Sequence, residues 1–397
     1  MSLKRSLLSL IKFLITGSSL YLSSSKEIEK KLAESTADGF KPTLALVFTA
    51  SKDEISSIQS LLDENNIALF GVTTYCHFTG DGNETEGMTV LLMDTPPEYF
   101  KIVLKDNKNS SPKQWAEQLG ETGLKTFSKP AFIISQASLT INSNDIIGGI
   151  VEKTGSEVTI AGGIAGEHLH YRSIVFTNTQ ISDYGLLALI IDEEKIDVKG
   201  EAVSGWKPVG TEKTITKSEG RRIFTIDNQP AFDVVKKYIG DDIVDDTEDY
   251  SQSETSVRIN TSYPLQVKRA GYSPLLVATT EYNPKDGSVL STSALKTGTT
   301  FRFSLPPDFE ITETVVESSR QVKEKELPDS DAMVVFSCIG RYMMLGPMAS
   351  LEVEGLAETW GKPVAGFFSL GEFGKVKGAK KAEFHGTTCS WVALKEK

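Results

Sequence analysis

Arg341 and Glu372 are the residues of this sequence best suited to recognising a small charged molecule. Each follows an apolar run in one stretch of chain: "AMVVFSC" (332–338) leads into Ile-Gly-Arg, and "PVAGFFSLGE" (363–372) ends on the glutamate. A guanidinium presents paired donors in a fixed plane that match a carboxylate, and a carboxylate accepts from an ammonium. Together they suit a small zwitterion such as an amino acid, and Gly366 and Gly371 would let backbone N–H groups approach it closely. The competing reading is an Arg–Glu ion pair that only joins two loops.

Cys338 and His385 suggest a second chemistry. A thiolate nucleophile needs a base or a positive charge nearby, and Arg341 lies just beyond the cysteine. Against this, a free cysteine is most often a small buried hydrophobe. Phe367, Phe368 and Phe373 read as core more than as pocket wall. Glu167, His168 and His170 place ligand-type side chains close together, but a polar turn explains them better, so no metal is expected. No phosphate-loop, serine-hydrolase, zincin or EF-hand pattern occurs, and "GGIAGE" (162–167) does not fit the dinucleotide fingerprint. No cofactor is expected.

The elements that must position these residues recur. "TLALVFTA", "SKDEISSIQSLLDENN" and "IALFGVTTY" (43–75) read as strand, helix, strand, and the order returns at 131–167 and at 332–372. Two copies finish alike, Ala161 to Glu167 as A-G-G-I-A-G-E and Ala365 to Glu372 as A-G-F-F-S-L-G-E; the first keeps Gly71 but ends T-T-Y-C-H. Alternation of this kind predicts an α/β, mixed α+β fold with layered, mixed β-sheets. An acidic, weakly periodic stretch suggests two domains, 1–240 and 255–397, joined by a linker at 241–254.

Composition narrows the function classes. The 397 residues are 39% hydrophobic and 24% charged, as in a folded globular chain, and the net charge of -11 argues against a nucleic-acid surface. Three scattered cysteines fit a reducing cytoplasm better than a disulfide framework. The start, "LKRSLLSLIKFLITGSSLYL", has the basic-then-apolar order of a targeting segment. Lys12 interrupts the run, so "KFLITGSS" is read as a strand entering a turn, and the choice for residues 1–22 stays open. No segment is long and apolar enough to predict a membrane span.

With these motifs on the page, the sequence resembles the FIST family, which pairs FIST N and FIST C domains. The C-terminal resemblance rests on "FSCIGR" (336–341), "AGFFSLGEFG" (365–374) and "EFHGTTCSWVAL" (383–394) in order. The N-terminal one rests on "TLALVFTA", "IALFGVTTY", "TIAGGIAGEH" and the stretch "GWKPVGTEKTITKSEGRRIFTIDNQPAFDVVKKYIG" (205–240). Two departures stand out: the first repeat lacks the family's later Gly-Glu, and Gly386 stands where Asn is common.

The resemblance implies an intracellular sensory module that binds a small ligand, amino acids or small carboxylates among the candidates, and signals to a protein partner. No fused output domain is expected, so a signal would leave by non-covalent contact. The implied pocket gathers Cys338, Arg341, Gly366, Phe367, Gly371, Glu372 and His385, closed by the "GGIAGEH" turn with Gly163 and Glu167. The alternatives are a cysteine-dependent amide or ester hydrolase and a protein-interaction scaffold.

Overall fold

The computed structural model describes residues 17–37, 39–167, 173–239, 263–269, 271, 273–305 and 310–397. The linker assigned to 241–254, the residues before Gly17, and His168 and His170 lie outside them.

The chain runs through one order of elements three times. The first pass is β1 (Gly17–Leu22), α1 (Ser25–Ala37), β2 (Leu44–Thr49), α2 (Ile55–Glu64), β3 (Ala68–Thr73), the hairpin β4 (His77–Thr79) and β5 (Gly82–Glu84), then β6 (Met88–Met93). The second is β7 (Phe100–Lys105), α3 (Pro112–Thr126), β8 (Pro130–Gln136), α4 (Ser143–Thr154), β9 (Ile160–Ile164), the hairpin β10 (Val175–Phe176) and β11 (Ile181–Ser182), then β12 (Leu186–Asp192).

The third pass begins with β13 (Ile196–Val203) and is then interrupted. The interruption is a separate antiparallel sheet of β14 (Pro208–Glu219), β15 (Arg222–Ile226), β16 (Gln229–Pro230), β17 (Leu265–Val267), β18 (Leu275–Val277), β19 (Thr279–Asn283), β20 (Ser288–Ser291) and β21 (Thr300–Ser304). Helix α5 (Ala231–Ile239) packs Val234 and Val235 against it. The pass then resumes with α6 (Glu310–Lys325), β22 (Ala332–Cys338), α7 (Ile339–Leu345), α8 (Ala349–Trp360), β23 (Val364–Ser369), the hairpin β24 (Glu372–Gly374) and β25 (Glu383–His385), and β26 (Cys389–Glu396).

Each pass builds one six-stranded sheet, and each lends its hairpin to another. The sheet orders are β1-β6-β2-β3-β10-β11, β7-β12-β8-β9-β24-β25 and β13-β26-β22-β23-β4-β5. In every sheet the two repeat strands run parallel (β2 with β3, β8 with β9, β22 with β23), and the closing strand is antiparallel. The fold is thus mixed α/β with layered, mixed sheets, as the alternating runs predict.

Burial on both faces explains the continuous apolar runs. Along β2, Leu44, Leu46 and Phe48 join a core shared with Ile133, Phe336 and Phe367, while Ala45 and Val47 pack under Ile28 of α1 and Ile58 of α2. The same alternation puts α3 and α4 over the second sheet and α6 and α8 over the third. Helix starts follow their caps: Ser111 and Gln114 form a capping box for α3, and the Asn142 side chain accepts from the N–H of Asn144 to open α4. No helix among the described residues is long and apolar enough to cross a membrane.

One local reading is corrected: Arg341, expected in a loop, sits on α7 (Ile339–Leu345). Of the strand read at "KFLITGSS", residues 12–16 lie outside the described residues, and Gly17–Leu22 runs antiparallel to β6.

Candidate functional site

Where β22 ends, a buried polar network begins. The Arg341 side chain is fully buried. Its Nε donates to both carboxylate oxygens of Glu352 at 3.3 and 3.1 Å, and its Nη2 to Oε2. Nη1 donates to the carbonyls of Ser204 (2.5 Å) and Thr387 (3.4 Å), and the guanidinium lies 5.2 Å from the Trp206 ring centre. Burial opposes the charge, but Glu352 overrides it and holds the guanidinium above its ordinary pKa.

Glu352 is the partner the sequence reading missed. It is 1% exposed and also accepts from Ser337 Oγ at 2.8 Å. A signal existed: it lies on the buried stripe of α8 with Ala349, Val353, Leu356 and Trp360, where a lone carboxylate needs a partner.

Glu372 is held separately. Oε1 accepts from Ser369 Oγ (2.6 Å), and Oε2 accepts from the N–H (3.1 Å) and Oγ1 (2.9 Å) of Thr388. Burial pushes its carboxyl up to about 8, against the pull of those hydrogen bonds and of Arg341. Arg341 and Glu372 therefore belong to one network, yet each has its own protein partners.

The other predicted residues divide by place. Cys338 is 3% exposed; burial and then Glu372 push its thiol up, so it stays an S–H group, and its N–H donates to Thr388 O at 2.9 Å. His385 is pushed down to about 4 by burial. The close backbone approach at the glycines is to protein. A Cβ on Gly366 would meet Val335 O at 2.0 Å and the Phe78 ring at 2.4 Å, one on Gly371 the Phe384 ring at 2.5 Å, and one on Gly163 the Ser369 Cβ at 2.8 Å.

Phe367 is core, with ring centres 5.1 Å from Phe48 and 5.5 Å from Phe336. Gly163 does come to the network, opposite Glu372 in the β9–β24 register. Glu167 does not: it accepts from Thr73 Oγ1 (2.6 Å) and pairs with Lys52 Nζ (2.5 Å) on the first sheet's side. Among the described residues no cluster of three or more His, Cys, Asp or Glu could hold a metal.

The network floors an open cleft of about 730 Å³. Its lining joins the end of β13 (Glu201 to Gly205), α6 through Glu313 and Glu317, Pro274 ahead of β18, and His385 and Thr388. Ser204 and Thr388 belong both to this lining and to the network, so Arg341 and Glu372 fix the cleft from beneath. His385 is 1% exposed, and its Nε2 faces Gly374 O at 3.2 Å. A carbonyl only accepts, so Nε2 carries the hydrogen and Nδ1 is left as an acceptor. The walls from β13 and α6 lie far in sequence from the His385 loop; β13 reaches it through its pairing with β26 and through Ala202, whose N–H donates to Lys375 O at 2.8 Å.

The chain matches the FIST N domain over residues 43–229 and the FIST C domain over residues 231–375. No curated protein matches it.

Proposed function

This chain belongs to the FIST domain family, and from that membership we propose that it is a sensory protein whose small ligand, with amino acids as first candidates, enters the cleft above His385 and Thr388. FIST domains are sensory domains. The observation that carries the reading is the cleft itself: about 730 Å³ lies within the roughly 300–1,000 Å³ usual for small-ligand sites. Arg341 and Glu372 act from below, holding Thr387 and Thr388 in place. The cleft lies between the inserted sheet and the third repeat, so a bound molecule would bridge them and bias how they pack, a change another protein could read. A cytoplasmic setting agrees with three unpaired cysteines.

A thermal-shift screen of amino acids, small carboxylates, amines and nucleotides tests this. A ligand at 100 times its Kd should stabilise the fold by about 2.7 kcal/mol. Thr314→Trp, on the exposed side of α6, should fill the cleft and remove the shift. Silence across the library, or a shift that Thr314→Trp leaves intact, contradicts the proposal.

A further inference from the structure

The lining of the cleft is chemically lopsided. Among the described residues it contains Glu201, Glu310, Glu313 and Glu317 against one cation, Lys377, with Arg269 just behind it donating to the Ser273 carbonyl. Lys377 donates to Gln321 Oε1 at 2.6 Å, while Glu310 pairs with Lys207 and Glu317 with Arg320. Glu201 accepts from Ser318 Oγ, and Glu313 makes no ion pair among the described residues. Carboxylates around a concave site raise the local concentration of cations and repel anions.

An acidic rim alone would admit any cation; the floor adds a second demand. His385 lines the cleft with Nε2–H committed to Gly374 O, and its Nδ1 makes no hydrogen bond among the described residues. Burial keeps the ring neutral, at about 4, so Nδ1 keeps its lone pair at neutral pH. Nδ1 is not one of the fully enclosed partnerless atoms among the described residues, so a donor from outside the protein can reach it, and a ligand N–H would complete its hydrogen bonding.

Taking the cleft as the ligand site, as proposed above, we infer that its ligand is a small organic cation bearing N–H donors, an amine or guanidine. It gives a hydrogen bond to His385 Nδ1 and places its charge among Glu201, Glu313 and Glu317. An amino acid would be accepted through its amino or guanidino end, and a purely anionic acid would be rejected.

The test is calorimetric titration of the full chain at low salt with putrescine, agmatine, tetramethylammonium and succinate. Putrescine or agmatine should bind, tetramethylammonium at least about tenfold more weakly because it has no N–H to give, and succinate not at all. Glu313→Gln and Glu317→Gln should each weaken the amine by about two- to fivefold, and added salt should weaken it further. His385→Phe should erase the preference over tetramethylammonium. If that variant does not fold, the comparison on the unaltered chain decides the histidine's part alone.

Equal binding of tetramethylammonium and putrescine would overturn the role of His385. Succinate binding that Thr314→Trp abolishes, with no amine bound, would overturn the cation and leave the cleft standing. Amine binding untouched by Thr314→Trp would overturn both.

Discussion

At the scale of single residues, buried charged groups have assigned partners. Glu352→Ala would leave Arg341 charged, buried and without its carboxylate, which should destabilise the fold by about 3–5 kcal/mol in denaturant titration. Arg341→Met with Glu352→Leu should recover most of that loss, because the desolvation penalty disappears with the pair. Glu372 gives a pH signature. Its carboxyl is raised to about 8 in the fold, so between roughly pH 4.5 and 8 the unfolded chain has released a proton that the native state keeps. Its contribution is full below that window and is lost as pH rises through it, by a few kcal/mol. Melting temperatures measured across this window should fall less steeply for Glu372→Gln than for the unaltered chain; equal slopes would contradict the assignment.

At the scale of elements, glycines separate positions the packing demands from positions it does not. Gly366→Ala drives a Cβ into Val335 O at 2.0 Å and should destabilise by about 1–3 kcal/mol or more, since strands β22 and β23 must part. Gly148→Ala, in α4 with open space around its Cβ, should stabilise by about 0.5–1 kcal/mol. The strand-helix-strand passes were legible because buried parallel strands leave long β-branched and aromatic runs: "TLALVFTA", "AFIISQ" and "AMVVFSC" all become central strands. The helix at Arg341 was not, because Cys-Ile-Gly-Arg between two apolar runs has the composition of a turn. Arg341 and Glu372 both lie in one buried network, but an arginine's partner is set by tertiary contact, and Glu352 lies on another helix.

At the scale of the whole molecule, three sheets exchange hairpins around a shared core, and the inserted sheet hangs from the third. That exchange brings Gly163 to Glu372 and Phe78 to Gly366, contacts that no local pattern reveals. It also scatters the cleft along the sequence: its walls come from β13, α6 and the insertion, and of its lining only Gly205, His385 and Thr388 belong to the segments that carry the family resemblance. The central claim is that a small ligand binds in this cleft. The most direct measurement is hydrogen–deuterium exchange of the full chain with and without a saturating amount of the strongest stabilising compound from the thermal screen. Slowed exchange concentrated at Glu201–Gly205, Glu313–Gln321 and Phe384–Thr388 is the predicted result; protection elsewhere, with these segments unchanged, would contradict it.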